Sequence, residues 1–124
     1  MLQATVRDFL AGKLKQTDTS HAIYLVRANE QVLYVGKSIH VLTRLLQHLC
    51  RSETADWIGQ VIWLNQPQSL DWSIELFTCE ECLPLVLQLY PKHPQNRLPS
   101  MKAAEMAMIA HHHPCFNAQN NVSP

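Results

Sequence analysis

The chain has 124 residues, which is enough for one domain with a single hydrophobic core. Apolar residues make up 47% of it and charged residues 16%, a balance that excludes an intrinsically disordered chain. Ten Lys and Arg residues offset ten Asp and Glu residues, so the formal net charge is zero. Neutrality argues against binding to nucleic acid through overall positive charge, so any such surface must be a local patch or come from a partner.

Neither a membrane segment nor a secretory leader is expected. The longest apolar runs, Ile23–Val26 and Ala103–Ala110, are far too short to span a bilayer. Residues 1–7 lack the basic, apolar and small-residue order of a leader peptide. The four cysteines lie without the spacing of a disulfide framework: Cys50, Cys79, Cys82 and Cys115. We therefore expect a cytoplasmic protein.

The first part of the chain predicts a helix followed by a β-hairpin. Residues 1–16 are typical of a short amphipathic helix, because apolar residues recur at every fourth position. These residues are Val6, Leu10 and Leu14. His21–Arg27 and Val32–Gly36 are rich in β-branched and aromatic residues and are separated by a short segment, Ala28–Gln31. This pattern predicts two antiparallel strands joined by a tight turn.

Two helices are predicted after the hairpin. The first runs from Ser38, which can cap it, to about Arg51. Four leucines at the spacing i, i+3, i+4 and i+7 must face the core. They are Leu42, Leu45, Leu46 and Leu49. The second helix is predicted over Glu53–Leu64, and polar residues end it at Asn65–Ser69.

The second half predicts one more strand and two more helices. Trp72–Cys79 is typical of a strand, and Glu80–Tyr90 of a helix with Pro84 in its first turn. A proline-rich loop follows, after which Ser100 caps a last helix that ends near His112. We expect an α/β fold with a small, mainly antiparallel three-stranded sheet flanked by helices, forming one domain over residues 1–124.

A stripe of arginine and histidine side chains, which are basic and compatible with phosphate, follows one face of the helix after the hairpin. His40, Arg44, His48 and Arg51 lie roughly opposite the leucines, and no acidic residue occurs between Lys37 and Arg51. An ordinary solvated face explains such a stripe, although Lys and Glu usually populate such faces. A surface that binds phosphate is the functional alternative.

The last helix contains a single acidic residue in apolar surroundings. Every residue of Ala103–Ala110 is apolar except Glu105. An ionised carboxylate there costs several kcal/mol unless a cation or hydrogen-bond donors compensate it. The sequence leaves two explanations open with equal weight, an ion pair with Arg44 or Lys102 and a divalent-metal site.

These residues, taken in order, resemble the signature of the GIY-YIG nuclease family. The resemblance rests on Ala22-Ile23-Tyr24, on Tyr34-Val35-Gly36-Lys37-Ser38, on Arg44 with His48, and on Glu105 with Asn117. It covers about residues 21–50 and 100–118 within an expected core of about 20–118, whereas residues 52–98 match nothing in the family. The first motif departs from the family, because Ala22 stands where a glycine is usual.

The resemblance implies a metal-dependent endonuclease that hydrolyses phosphodiester bonds in DNA, with Mg²⁺ or Mn²⁺ as the cofactor. Glu105 would hold a single metal ion, because Mg²⁺ keeps several waters and needs few protein ligands. Arg44 would place a permanent positive charge on the phosphate. Tyr34 is the candidate general base and His48 the second candidate, while Tyr24 would orient water or phosphate.

The resemblance also points to residues that would bind substrate or hold the site together. Lys37 and Ser38 lie at a strand-to-helix junction, where backbone amides attract phosphate, and a plain cap with a solvated lysine is an equal alternative. Asn117 is expected to hydrogen-bond the backbone or a tyrosine, with a simple turn residue as the alternative.

One consequence for the sheet can be tested directly. Tyr24 and Tyr34 share a face only if the paired residue numbers have an even sum, because side chains alternate along strands. A three-residue loop at 28–30 meets this condition. A two-residue turn puts the tyrosines on opposite faces unless a bulge intervenes.

Two other functions stay open at this level. One is a nucleic-acid-binding module of the same fold without catalytic activity. The other is a protein-interaction module, suggested by the neutral charge and the unmatched middle segment. The partner we expect is DNA, branched or damaged, and a protein partner or a homodimer is also open. A structural zinc site at His111–His113 is disfavoured, because consecutive histidines point in different directions.

Overall fold

The computed structural model describes residues 1–13, 20–50 and 57–117, and it describes their side chains except those of 46–50 and Trp57. The strands within these residues are Leu2–Thr5 (β1), His21–Ala28 (β2), Gln31–Lys37 (β3) and Ser73–Thr78 (β4). The helices are Val6–Leu10 (α1), Val41–Cys50 (α2), Trp57–Leu64 (α3), Leu83–Leu89 (α4) and Met101–His112 (α5). Short 3₁₀ turns at Gln68–Asp71 and Glu80–Cys82 precede β4 and α4.

The strands form one antiparallel sheet in the order β1-β4-β2-β3, so the prediction of three strands was wrong by one. The additional strand comes from a segment predicted to be helical. Leu2 pairs with Leu76 and Thr5 with Ser73 along β4, and a helix begins only after Thr5. Helical periodicity gave the wrong answer because it ignores the backbone groups on β4, which β1 satisfies. Residues 14–16 of the predicted helix lie outside the described residues.

The hairpin confirms the two predicted strands and adds a bulge. Ala28 pairs with Gln31 across a two-residue turn, in which Asn29 adopts a positive φ of 55°. Val26 pairs with Tyr34 but Arg27 pairs with Val32, so the register shifts by one residue between them. Because of the bulge, the numbers of paired residues have an even sum from Val26 and Tyr34 onward. Tyr24 and Tyr34 therefore lie on the same face of the sheet.

Helices cover both faces of the sheet. Tyr24 and Val26 of β2 face a core cluster to which α1, α2 and α3 contribute, while Ile23 and Leu25 face a second cluster formed with α4 and α5. The central strand β2 is therefore buried on both sides, and Ile23, Leu25 and Val26 are fully inaccessible to solvent. This arrangement explains why β2 is an almost continuous apolar run.

The helical predictions for the second half are confirmed. Ser100 caps α5, its hydroxyl accepting a hydrogen bond from the Ala103 amide at 3.1 Å. Pro84 lies in the first turn of α4, where no backbone donor is needed. The loop between α4 and α5 contains no helix or strand. In α2, Leu45 is buried and Leu42 half-buried as expected, while Leu46 and Leu49 have side chains outside the described set.

No helix within the described ranges is long and apolar enough to cross a membrane.

Candidate functional site

The two signature tyrosines lie close together on one face of the sheet. The centroids of the Tyr24 and Tyr34 rings are 6.0 Å apart, with an angle of 33° between the ring planes. Tyr24 is only 1% exposed, whereas Tyr34 is half-buried. Of the two phenols, Tyr34 is therefore the one that solvent can reach.

Gly36 makes room for the ring of Tyr24. The two residues pair directly across β2 and β3, and the Tyr24 ring lies against the glycine. A Cβ atom at position 36 would fall 2.8 Å from Cε1 of Tyr24 and still closer to Cζ and Oη. Because real Cβ atoms do not approach so closely, only glycine fits while the ring keeps this position.

Arg44 lies on the helix that covers the tyrosine face. Val41 and Leu45 are buried against the cluster that contains Tyr24, and they hold α2 on this side of the sheet. Arg44 is exposed, and its amide donates to the carbonyl of His40 at 2.9 Å in the first turn. His48 belongs to α2, but its side chain lies outside the described set, so its role as second base stays a prediction.

Ser38 shapes the junction between β3 and α2 without being the cap of the helix. Its amide donates to the Ala22 carbonyl at 2.9 Å, and its hydroxyl accepts from the His40 amide at 2.9 Å. The helix begins at Val41, three residues after the predicted cap. The serine therefore bonds the turn that leads into the helix.

Glu105 forms an ion pair with Lys37. Nζ of Lys37 lies 3.3 Å from Oε1 of Glu105, and the side chains are 40% and 13% exposed. Within the described side chains, neither Arg44 nor Lys102 pairs with this carboxylate, so the partners considered from the sequence were wrong. The reason is positional, because Lys37 ends β3 directly beside α5.

The structure brings the site residues together as two separate groups. Tyr24 and Tyr34 belong to the face covered by α2, whereas α5, which carries Glu105, packs on the opposite face. Alternation along β3 explains the division, because Tyr34 and Gly36 point to one side and Val35 and Lys37 to the other. Lys37, the last residue of β3, follows Tyr34 by three residues, so the two groups are joined through this strand.

The Asn117 side chain forms hydrogen bonds with the free edge of β3, the last strand of the sheet. It is fully buried, its Oδ1 accepts from the Val35 amide at 2.9 Å, and its Nδ2 donates to the Val35 carbonyl at 2.7 Å. The amides of Cys115 and Phe116 also bond carbonyls of β3. Asn117 thus replaces a neighbouring strand, as the prediction of a backbone contact required, and any part in substrate binding is through the position of β3.

Metal-binding clusters of the usual protein kind do not occur in the described part of the chain, since no group of three or more His, Cys, Asp or Glu residues there is placed to hold a metal ion. A single carboxylate completed by waters is a different kind of site, and Glu105 fits it as an oxygen donor with little exposure. Burial raises the pKa of the Cys82 thiol to about 12, with a further contribution from Cys79. This thiol stays protonated at neutral pH and is a poor ligand.

A second buried ion pair was not found from the sequence. Nε of Arg27 donates to Oε2 of Glu75 at 2.8 Å, and the Glu75 side chain is only 8% exposed. His112, at the end of α5, lies within their electrostatic influence. Burial lowers the pKa of His112, and His111 and Arg27 lower it further. In the sequence, Glu75 is a polar residue between the apolar Ile74 and Leu76 of β4, and this alternation predicts a side chain that faces solvent. The alternation cannot show that Glu75 is in fact buried.

Comparison of the chain with protein-family models, with curated proteins and with solved structures found no match.

Proposed function

We propose that this protein is a divalent-metal-dependent endonuclease of the GIY-YIG type that hydrolyses phosphodiester bonds in DNA. The observation that carries the proposal is the bulge at Val26/Arg27, which aligns Tyr24 and Tyr34 on the face that also carries α2 and Arg44. An alternative register would separate these three residues. The glycine opposite Tyr24 adds support, because it lets the ring lie against β3 on the face that also carries Tyr34.

The proposed site spans the end of β3. The tyrosines and Arg44 approach it from one face, and the pair of Lys37 and Glu105 from the other. A phosphate bound there meets an exposed guanidinium and an exposed ammonium in a segment without acidic residues of its own. The neutral chain can therefore hold nucleic acid through a local patch.

The residues divide the work of hydrolysis between them. Arg44 would contact the phosphate and stabilise charge that develops during attack. Tyr34, the accessible phenol, would accept a proton from the attacking water, and Tyr24 would hold Tyr34 in place. Tyrosine phenols ordinarily ionise near pH 10, so this step depends on the positive charge of Arg44, whose helix covers the same face of the sheet. Glu105 would hold Mg²⁺ or Mn²⁺, which supplies Lewis-acid stabilisation.

Cleavage of supercoiled plasmid in the presence of Mn²⁺ tests the proposal. Tyr34→Phe, Arg44→Ala and Glu105→Gln should each lower the rate by about a hundredfold or more. Matched changes at exposed residues away from the site should leave it unchanged: Tyr90→Phe, Arg97→Ala and Glu80→Gln. Absence of metal-dependent cleavage, or equal activity in the two sets, would contradict the proposal.

A protein-interaction module is the second candidate. Two adjacent apolar residues at the end of α3 favour it, since Trp63 is 53% exposed and Leu64 is 77% exposed. A nucleic-acid-binding module without activity is the remaining alternative. Binding of labelled branched and single-stranded DNA by Glu105→Gln separates the two, because only the nucleic-acid-binding module retains affinity for DNA.

A further inference from the structure

Lys37 is the counter-ion of Glu105. The carboxylate projects from a helix whose residues are otherwise apolar over Ala103–Ala110, and it is only 13% exposed. A carboxylate in such surroundings needs a compensating cation. Lys102, three residues earlier on the same helix, is exposed and forms no ion pair in the described structure. The compensation is therefore supplied from β3, by Lys37 at 3.3 Å.

A divalent cation and the Lys37 ammonium would compete for this carboxylate. Two positive charges on one side chain repel each other, and the repulsion is strong where exposure to water is small. The ammonium group of Lys37 is at the end of a long, flexible side chain that is 40% exposed. It can therefore move away from Glu105 without disturbing the fold.

We propose that Lys37 couples metal binding to the binding of substrate phosphate, an inference that rests on the proposed endonuclease function. Without nucleic acid, Lys37 neutralises Glu105 and weakens the affinity of the carboxylate for Mg²⁺ or Mn²⁺. A backbone phosphate of the substrate attracts Lys37 and leaves Glu105 open to the metal. The coupling is reciprocal by thermodynamic necessity, so metal tightens the binding of nucleic acid by the same factor.

Titration of the whole chain with Mn²⁺ alone, followed by electron paramagnetic resonance of the free ion, tests the first half of the inference. Lys37→Gln should bind Mn²⁺ about fivefold more tightly than the wild type, a factor typical of a partly exposed ion pair. Lys37→Arg keeps the charge and should bind like the wild type. Lys102→Gln is the matched control and should also bind like the wild type, while Glu105→Gln gives the background.

Two results of this titration would overturn the inference. One is equal affinity of Lys37→Gln and the wild type. The other is an equal gain in Lys102→Gln, which would show a general effect of charge without an ion pair.

The affinity of the wild-type chain for a short phosphorothioate oligodeoxynucleotide, which keeps its charge and resists hydrolysis, tests the second half. In fluorescence anisotropy, Mn²⁺ should tighten binding by the wild type about fivefold more than it tightens binding by Lys37→Gln, and it should have no effect on binding by Glu105→Gln. The same Mn²⁺ effect in all three proteins would overturn the coupling. If that result is obtained while the wild type still cleaves plasmid, the coupling by Lys37 is wrong but the proposed endonuclease function stands. If the wild type binds no more Mn²⁺ than Glu105→Gln does, the metal assignment of the proposed function fails with it.

Discussion

The ring of Tyr24 lies against Gly36, its direct partner on the neighbouring strand, at a distance that leaves no room for a Cβ atom. The contact fixes the position of a tyrosine that is almost completely buried, and it depends on a residue without a side chain. The glycine at position 36 therefore has a physical cause in the sheet, the ring of Tyr24.

Gly36→Ala should destabilise the fold by about 2–3 kcal/mol, because the added methyl group overlaps the Tyr24 ring. Urea denaturation measures the loss. In a Tyr24→Leu background, which removes the ring, the same substitution should cost much less. Equal costs in the two backgrounds would show that the ring does not limit residue 36.

Asn117→Ala should cost about 2–4 kcal/mol, because it leaves the buried amide and carbonyl of Val35 without partners. Hydrogen exchange at the Val35 amide should accelerate at the same time. Asn65→Ala is a matched control, since the Asn65 side chain bonds one exposed carbonyl, that of Val61. Unchanged protection of the Val35 amide in Asn117→Ala would contradict this role.

Glu75→Gln should cost about 1–2 kcal/mol, because Arg27 keeps a charge that the neutral amide compensates poorly in a mostly buried position. Asp71→Asn removes the charge from the exposed pair Arg7–Asp71 and should cost less than about 0.5 kcal/mol. Chemical denaturation of the two variants gives the comparison. Equal losses would mean that burial does not distinguish the pairs.

His112 should make the protein less stable in mild acid. Its pKa is lowered in the folded chain, first by burial, so the unfolded chain binds a proton at a higher pH than the folded chain does. Stability is then unaffected at high pH and falls as the pH drops below the unfolded value of about 6.5. Urea denaturation at about pH 7.5 and about pH 5.5 should show a smaller decrease for His112→Gln than for the wild type. The exposed His40→Gln should retain the wild-type decrease, and an identical decrease in all three proteins would contradict the assignment.

The sequence predicts the elements that carry their own local signals. The hairpin strands, the cap of α5 at Ser100 and the position of Pro84 were all correct, because alternation, capping and proline geometry act over a few residues. The strand β1 was missed, since its pairing with β4 joins residues that are distant in the chain. The sequence gives no local sign of that pairing.

The sequence proposes members for a candidate site but does not predict how they are arranged. Side-chain alternation allowed only two arrangements of Tyr24 and Tyr34, on the same face of the sheet or on opposite faces. The bulge between Val26 and Arg27 puts them on the same face. The ion pair of Lys37 with Glu105 depends on how α5 lies along the sheet edge, which no spacing reveals. The division of the residues between two faces has the same origin.

The central claim is that the residues on the two faces of the sheet act in one site, and a double-mutant analysis of plasmid cleavage with Mn²⁺ tests it most directly. Tyr34→Phe and Glu105→Gln should each remove most of the activity, and the double variant should be little slower than the slower single variant, because groups that act as a unit are not additive. Losses that multiply in the double variant, or full activity in Glu105→Gln, would contradict a shared site at the end of β3.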